Sequence, residues 1–423
     1  MKLHIQPLIA PCDEKITFSI SGLPPEGKVR IDVSMHFPWA PDVKFESFAS
    51  FTADKKGNVD LATQKPDSGS YDYVNSMGPI TSLTCRDPKA FGKIGKNVSL
   101  DKNLFIDITA QCEQDAASAR LERLFLAKGI KRLRISDEFV GELFYTENTG
   151  NKTVVLLPGS GGGNLDLISL YAALLANHGF NVLAVAFFGE KGLPAALAEV
   201  PLEYFDKVFA WLSKHPVTSG KEIHLYCVSK GAELGLILAS RYPFITGVVA
   251  CAPHAYCFQG LTFTKAVSSW TEGGKPLPFI QWKNRWFLGY IASCFIKNKP
   301  FGFTYLYRMM LKNAKNKEVA RIRIENAQAD FLFFTSKDCN MWNTYEGSLE
   351  IMDTLKKCNY QYEYNLVTYE DAGEPYAPAY LIPYGEGKIK IAPRLVFSMG
   401  GTSKGNAHAQ VDSWEKAIAF LKR

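Results

Sequence analysis

The sequence predicts two folded parts: a β-sandwich over residues 1–135 and, over residues 136–423, a mostly parallel sheet with helices on both faces. The first part alternates apolar and polar residues with period two, which is typical of half-buried strands. From about Lys152 onward, continuous apolar runs alternate with helically spaced apolar residues, as in parallel strands joined by helices. The length of 423 residues, about two to three usual domains, fits two such parts.

Composition places the chain among ordinary globular proteins. Hydrophobic residues make up 47% and charged residues 21%, and the mean hydropathy is −0.08. These values exclude a disordered chain, a collagen-like repeat and a coiled coil. The net charge of +6 is mild, and basic residues occur in short scattered groups such as Lys312, Lys315 and Lys317. We predict a solvated surface and no nucleic-acid partner, although a weakly basic surface also suits an anionic ligand such as a CoA ester.

Cysteine usage and apolar runs bear on the compartment. The nine cysteines show neither Cys-x-x-Cys pairs nor Cys/His metal spacing, so we predict a reducing compartment, no metal and no cofactor. The N-terminal residues hold no apolar run of signal-peptide length. The most apolar later stretch, Trp286–Ile296, is too short to span a bilayer. We therefore predict a cytoplasmic protein without a membrane span.

Four short strands are predicted within the first part, residues 1–135. Lys15–Gly22 and Val29–His36 alternate apolar and polar residues, and the turn cluster Leu23–Gly27 between them makes a hairpin or a sheet corner. Phe45–Ala53 and Val59–Leu61 repeat the pattern. Short strands separated by turn residues favour a sandwich.

The segments that follow connect the two parts and build the second. Ala116–Lys128 is a poor strand by its composition and is interpreted as a link, followed by a strand pair over Lys131–Ile135 and Phe139–Thr146. An aromatic-rich stretch near residues 265–320 is predicted to form an inserted helical cap. The predicted strands of the parallel sheet are Thr153–Leu157, Asn181–Phe187, Ile223–Val228, Gly247–Ala252 and Phe331–Thr335, and the predicted helices are Ile168–His178, Leu202–Lys214 and Gly231–Arg241.

The sharpest chemical motif lies between a predicted strand and a predicted helix. The segment Tyr226–Ala232 reads YCVSKGA, which resembles the strained turn that exposes a nucleophilic serine in the pattern G-x-S-x-G. Gly231 supplies the second glycine, whereas Cys227 replaces the first. Ser229 is therefore the candidate nucleophile. An ordinary helix N-cap is the alternative for this serine.

A glycine-rich loop follows the strand Thr153–Leu157. It lacks the Gly-Lys-Ser/Thr of a phosphate-binding P-loop, and Asn164 occupies the third glycine position of a dinucleotide fingerprint. We interpret Gly161 and Gly162 as oxyanion donors, together with the amide of Lys230. A tight turn between strand and helix is the alternative.

A serine hydrolase also needs an acid and a base after the serine. Asp338 follows a predicted strand, where an acid is expected. His254 and His408 are the histidines after Ser229, and His408 alone follows Asp338. His254, one strand after the serine, is interpreted as structural. His408, at the start of the predicted last helix, stays a candidate base.

The chain resembles the acyl-CoA thioesterase / bile-acid-CoA:amino-acid N-acyltransferase family over nearly its whole length. The resemblance is carried by separate blocks in the same order, among them DEKITFSISGLPPEGKVRI, PDSGSYDYVNSMGPITSL, GFNVLAVAFFGEKGLP, SKGAELGLILAS and AQVDSW. It implies an immunoglobulin-like N-terminal domain and a C-terminal α/β-hydrolase domain. It also implies an acyl-CoA substrate, cleaved or transferred to an amino acid, and a peroxisome or mitochondrion as alternative compartments. Serine at position 229 is similar to the thioesterase branch of the family, whereas the acyltransferase carries cysteine there.

The resemblance also implies a catalytic triad, which this chain departs from at two positions. Asp338 matches the first of two adjacent family aspartates, and Cys339 stands at the second, the family acid. Glu374 stands where the family histidine is expected. Three hypotheses result: an acyl-CoA thioesterase using Ser229 with Asp338 and either Glu374 or His408, a homologue that binds acyl-CoA or lipid without turnover, or an acyltransferase.

Overall fold

The computed structural model describes residues 1–423 apart from 86, 88–89, 114, 148–149, 263–264 and 382–384. The chain forms two compact units. The first contains Met1–Ala127 and Ala377–Gly385, and the second contains Lys128–Tyr376 and Glu386–Arg423. The short segment Ala377–Gly385 thus belongs to the N-terminal unit although it lies late in the chain.

The first unit consists of two sheets of mainly antiparallel strands, with strand orders β1-β3-β6 and β2-β9-β8-β4-β5-β7. Its elements are β1 (Lys2–Gln6), β2 (Ile9–Pro11), β3 (Thr17–Ser21), β4 (Lys28–Met35), β5 (Phe45–Thr52), β6 (Val59–Asp60), β7 (Ser68–Gly69), α1 (Gly78–Thr81), α2 (Ala90–Ile94), β8 (Leu104–Gln111) and β9 (Ala116–Leu124). Alternate residues of β4 and β5 are buried, so the period-two pattern marks a half-buried face as expected.

Two expectations for this unit are decided by the sheet topology. Strands β3 and β4 lie in different sheets, so the turn at Leu23–Gly27 is a sheet corner and not a hairpin. The interpretation of Ala116–Lys128 as a link is wrong, because β9 is a nine-residue strand paired with β8 along its length. Its alanines and its glutamate are poor strand formers by themselves, and pairing on both edges, with β8 and β2, overrides that preference.

The second unit contains an eight-stranded sheet and most of the helices. Its first elements are β10 (Lys131–Ile135), β11 (Gly141–Tyr145), β12 (Thr153–Leu157), α3 (Leu165–Ala176), β13 (Asn181–Val185), β14 (Val200–Pro201), α4 (Glu203–Lys214), β15 (Ile223–Val228), α5 (Lys230–Ala239) and β16 (Ile245–Cys251). The remaining elements are β17 (Trp270–Glu272), β18 (Lys275–Pro276), α6 (Asn284–Ile296), α7 (Thr304–Asn313), α8 (Lys317–Ala320), β19 (Asp330–Ser336), α9 (Thr344–Lys357), β20 (Tyr364–Tyr369), β21 (Lys388–Ala392), β22 (Leu395–Ser398) and α10 (Ser403–Leu421).

The central sheet has the order β10-β11-β13-β12-β15-β16-β19-β20. The two pairs at one edge, β10 with β11 and β11 with β13, are antiparallel, and every other neighbouring pair is parallel. All five residues of β12 and of β13 are buried, as the continuous apolar runs predicted. This arrangement confirms the α/β-hydrolase fold class.

The chain between β16 and β19 contains an excursion from the sheet. It carries β17, β18 and the helices α6, α7 and α8 over the stretch where a helical cap was predicted. Within the described parts of the chain, the structure contains no helix long and apolar enough to cross a membrane.

Candidate functional site

Ser229 occupies a strained turn between β15 and α5. Its φ of 55° and ψ of −118° lie outside the regions that residues with a side chain normally adopt. The backbone N–H of Ser229 donates to the carbonyl oxygen of Cys251 at 2.8 Å, which secures the turn to β16. The hydroxyl makes no helix-capping hydrogen bond. The geometry is therefore that of a serine presented outward at the end of a buried strand, and not that of an N-cap.

Close approach of strand and helix explains the glycines around this serine. A Cβ atom on Gly231 would lie 2.3 Å from the carbonyl oxygen of Leu157 and 2.4 Å from that of Pro158. A Cβ atom on Gly159 would lie 3.0 Å from the Cβ of Ser229. The small residues expected in a nucleophile turn are thus required here by contact with the neighbouring glycine-rich loop.

The glycine-rich loop is a tight turn beside Ser229. The N–H of Gly162 donates to the carbonyl oxygen of Gly159 at 3.0 Å. The prediction of Gly162 as an oxyanion donor is therefore wrong for this conformation, because the turn already uses its N–H. Gly161 is exposed. Ser160 lines the same cavity as Ser229 and Lys230.

The side chains of Ser229, Cys339 and Glu374, which are distant in sequence, come together around the Glu374 carboxyl group. The Ser229 hydroxyl lies close enough to the carboxyl group of Glu374 to favour the ionised form of that group, which lowers its pKa. The Cys339 thiol donates to the Glu374 Oε2 atom at 3.8 Å, a normal distance for a sulfur donor. Cys339 follows β19, and Glu374 lies in the loop after β20. In a catalytic triad the serine contacts an imidazole, and the imidazole contacts a carboxylate. Here the Glu374 carboxyl group stands in the position of the imidazole, and the Cys339 thiol stands in the position of the carboxylate.

Hydrogen bonds made by the two residues before Glu374 hold Glu374 in this position. The N–H of the preceding residue, Gly373, donates to the side-chain oxygen of Asn406 at 2.8 Å. Ala372 forms a β-bridge with Gly401. Asn406 lies on α10, so the last helix of the chain positions the segment that carries the carboxyl group.

Burial changes the acid–base behaviour of Glu374 and Cys339. Burial raises the pKa of Glu374 to about 7, against the opposing effect of the hydrogen bonds from Ser229 and Cys339. Burial, followed by the nearby charge of Glu374, raises the pKa of the Cys339 thiol far above its usual value. Cys339 is therefore a protonated donor at neutral pH, while the pKa of Glu374 lies near neutral pH.

The structure does not bring Asp338 or His408 into this group. Asp338 is exposed, and its Oδ2 accepts from the N–H of Gly401 at 2.9 Å. Asp338 is exposed whereas the adjacent Cys339 is buried, so only Cys339 faces inward. His408 is exposed on α10, and its ring packs edge-on against Tyr369 with 5.9 Å between centroids. Both residues therefore lie apart from the hydroxyl of Ser229.

His254 is fully buried among aromatic rings. Its ring lies 4.8 Å from that of Phe258 and 5.6 Å from that of Trp342, between centroids. Burial lowers its pKa to about 3, so the imidazole is neutral. These contacts fit the structural role expected for this histidine.

An apolar cavity of about 250 Å³ opens at Ser229. Aromatic and methionine side chains dominate its wall, and several of them come from the excursion between β16 and β19. Residues lining the cavity are Ser160, Ser229, Lys230, Phe258, Gln259, Gly260, Leu261, Thr262, Trp282, Phe303, Tyr307, Met310, Met341 and Trp342. A cavity with this lining accepts an apolar chain next to the serine hydroxyl.

A buried ion pair supports one wall of the cavity. The Lys230 Nζ atom donates to both carboxylate oxygens of Glu233 at 2.7 Å. Glu233 also accepts from the indole N–H of Trp270 at 2.7 Å. The i, i+3 spacing of Lys230 and Glu233 within an apolar helix was a sequence signal for this pair, and it was missed.

Two sequence families match this chain. The family described as "Acyl-CoA thioester hydrolase/BAAT N-terminal region" matches residues 13–137. The family described as "BAAT / Acyl-CoA thioester hydrolase C terminal" matches residues 200–423, more than half of the chain. The chain belongs to the acyl-CoA thioester hydrolase/BAAT family.

Relatives within the acyl-CoA thioester hydrolase/BAAT family carry two kinds of name. The chain is 28% identical to mouse "Acyl-coenzyme A amino acid N-acyltransferase 1" and 29% identical to mouse "Bile acid-CoA:amino acid N-acyltransferase", over all of this chain and 97% of each relative. It is 26% identical to rat "Acyl-coenzyme A thioesterase 2, mitochondrial", over all of this chain and 89% of that protein. The identities to the two kinds of relative lie within three percentage points of each other.

The described residues contain no group of three or more His, Cys, Asp or Glu side chains placed to hold a metal ion.

Proposed function

We propose that the protein hydrolyses acyl-CoA thioesters, with Ser229 as the nucleophile and Glu374 as the general base. The observation that carries this proposal is the position of the Ser229 hydroxyl beside a buried carboxyl group, which accepts from Cys339 and whose pKa is raised to about 7. A base with a pKa near the working pH is ionised often enough to act and basic enough to accept a proton. Glu374 thus meets the requirement that a histidine normally meets.

In the acylation step, the Glu374 carboxylate takes the hydroxyl proton as the Ser229 oxygen attacks the thioester carbonyl carbon. The negative charge moves from the carboxylate to the carbonyl oxygen of the tetrahedral intermediate. Collapse of that intermediate breaks the carbon–sulfur bond and leaves the acyl group on Ser229. The proton on Glu374 passes to the departing thiolate, which needs little acid assistance because thiols are much stronger acids than alcohols.

In the deacylation step, Glu374 takes a proton from water as the water oxygen attacks the Ser229 ester. The second tetrahedral intermediate releases the fatty acid, and the proton returns from Glu374 to the Ser229 oxygen. The protonated thiol of Cys339 donates to the Glu374 carboxylate throughout, and so acts as a positioning residue.

Oxyanion stabilisation is proposed to come from backbone N–H groups beside the serine. The amide of Lys230 is the first of α5, immediately after Ser229. Of the loop residues, Ser160 lines the cavity whereas Gly161 is exposed, so we favour the Ser160 amide as the second donor.

The test is release of CoA from a panel of short, medium and long acyl-CoAs. We expect activity in the wild type and a loss on the order of 10⁴-fold or more in Ser229→Ala and Glu374→Gln. Asp338→Asn and His408→Ala are the matched controls, with activity close to wild type. Wild-type protein that binds acyl-CoA in a thermal shift assay but releases no CoA would contradict the proposal and support the binding homologue.

Two further variants test the role of Cys339. Glu374→His restores an imidazole, and Glu374→His with Cys339→Asp adds a carboxylate where the thiol now contacts position 374. We expect the double variant to be more active than Glu374→His alone, because an acid is needed to orient the imidazole. Equal activity of the two would mean that position 339 does not orient the base.

Acyl transfer is distinguished in the same assay by adding glycine or taurine. An amide product would reassign the protein to the transferase side of its family. The cysteines beside the site do not favour that outcome, because burial raises the thiol pKa of both Cys227 and Cys339 well above the usual value. The cytoplasmic compartment stays a prediction, to be checked by fractionation.

A further inference from the structure

One segment of the second unit is strongly basic. Residues 273–317 contain nine lysines and arginines and no aspartate or glutamate. The net charge of the whole chain is +6, so the remaining residues together are net negative. This segment includes β18, α6 and α7 and the start of α8. A basic segment of this size within an otherwise slightly acidic chain indicates an anionic partner.

The helix in the middle of this segment exposes an apolar face. Leu288, Phe295 and Ile296 on α6 are 68%, 46% and 73% exposed, and Ala292 between them is also exposed. Their spacing of i, i+4, i+7 and i+8 places them along one side of the helix. Large apolar side chains that share an exposed face indicate a contact surface.

The opposite face of α6 packs against the site. The ring of Phe287 lies 5.4 Å from that of Trp282 and 6.1 Å from that of Phe303, between centroids. Trp282 and Phe303 both line the cavity at Ser229. A single helix therefore separates the cavity from the exposed apolar face.

Neighbouring strands extend this surface. The guanidinium of Arg394, between β21 and β22, lies 6.0 Å from the ring centre of Phe295. Ile391 on β21 is 58% exposed, and Lys390 beside it is exposed. Lys297 and Lys299 follow α6 and are also exposed. Across the part of the chain that the structure describes, no ion pair involves any of these three lysines or Arg394.

We propose that this surface docks onto an anionic lipid membrane, with α6 lying in the plane of the interface. Exposed leucine, isoleucine and phenylalanine enter the boundary between headgroups and acyl chains, while flanking lysines and arginines meet anionic headgroups. A protein partner would need acidic side chains around an apolar groove. A membrane supplies both the apolar layer and the negative charge, so it fits the mixed surface with no further assumption. The proposal does not depend on the reaction at Ser229.

The test is co-sedimentation of the full-length protein with vesicles of phosphatidylcholine alone or with about 30% phosphatidylserine. We expect binding to the anionic vesicles that weakens as salt is raised. Lys297→Glu with Lys299→Glu is expected to weaken binding at least about tenfold, and Leu288→Ser with Ile296→Ser about tenfold. Ser229→Ala is expected to bind as the wild type does, which separates this proposal from the proposed reaction.

Matched controls come from exposed residues elsewhere. Lys55→Glu with Lys56→Glu makes the same change in net charge, and Ile9→Ser removes an apolar side chain that is 59% exposed. Both are expected to bind like the wild type. Absence of wild-type binding to anionic vesicles, or equal weakening by the controls, would overturn the proposal. So would binding to a soluble polyanion such as heparin without binding to vesicles.

Discussion

Glu374 is the most unusual residue of the proposed reaction, because it is the proposed base and lies beside the Ser229 hydroxyl. A carboxyl group with an ordinary pKa would be too weak a base for a serine hydroxyl. Burial corrects this weakness by raising the pKa to about 7. The Cys339 thiol then supplies a neutral hydrogen bond, whereas an aspartate at the same position would repel the Glu374 carboxylate.

The raised pKa predicts the pH dependence of the reaction. Glu374 must be ionised to accept a proton, so kcat/KM for CoA release is expected to rise with pH through about 7 and then level off. The measurement is CoA release between about pH 5.5 and pH 8.5, with Ser229→Ala giving the background. A rate that has already levelled off at pH 5.5 would rule out Glu374 as the base.

The same pKa predicts how Glu374 affects stability. The pKa is raised from 4.5 to about 7 in the folded chain, so folding favours the neutral form. The stability that this form contributes is present below about pH 4.5 and is lost as the pH rises to about 7. Glu374→Gln cannot ionise, so its advantage over the wild type in the free energy of unfolding is expected to grow by about 2 to 3 kcal/mol from pH 5 to pH 8.

Chemical denaturation at the two pH values measures this difference. Glu415→Gln, at an exposed position on α10, is the matched control and should show no such growth. A constant difference between Glu374→Gln and the wild type at both pH values would mean that the carboxyl group is not desolvated as the structure indicates.

At the scale of elements, the strand–turn–helix of β15, Ser229 and α5 is the part that local sequence predicts best. A buried apolar strand, a small-residue turn and a helix follow one another within a short stretch. The strand β9 was not predicted, because its sequence lacks β-forming residues and its stability comes from its neighbours.

The nucleophile turn predicts different tolerance at two glycines. Gly231→Ala places a methyl group against the carbonyl oxygens of Leu157 and Pro158, and is expected to cost about 1 to 3 kcal/mol of stability and most of the activity. Gly161→Ala meets no atom within 4 Å and is the matched control. Thermal unfolding and CoA release measure both effects, and a stable, active Gly231→Ala would show that the turn can relax.

At the scale of the whole molecule, the second unit is built from two stretches of chain, and the segment between them belongs to the first unit. Residues Ala377–Gly385 belong to the first unit, and within them Ala377, Ala379 and Leu381 are almost completely buried. A chain shortened to residues 128–423 leaves these residues without the sheets of their own unit. We expect it to aggregate, measured by size-exclusion chromatography, and a soluble, monodisperse product would contradict this view.

The control for that experiment replaces residues 377–385 of the shortened chain with a glycine–serine linker of equal length. This removes the buried apolar side chains, so we expect aggregation to decrease. Unchanged aggregation would mean that residues other than 377–385 cause it.

The sequence by itself determined the fold class, the candidate nucleophile Ser229 and the unusual residue at Glu374, because each depends on a local pattern or on matching blocks along the chain. Only the tertiary structure decided which groups meet. In the structure Cys339 contacts Glu374, whereas Asp338 is exposed and accepts from the N–H of Gly401. The direction of the two side chains in the turn after β19 decides which of them contacts Glu374. The tertiary structure also left the apolar side of α6 exposed beside basic residues, because α6 is apolar on both sides and only packing selects which side is covered.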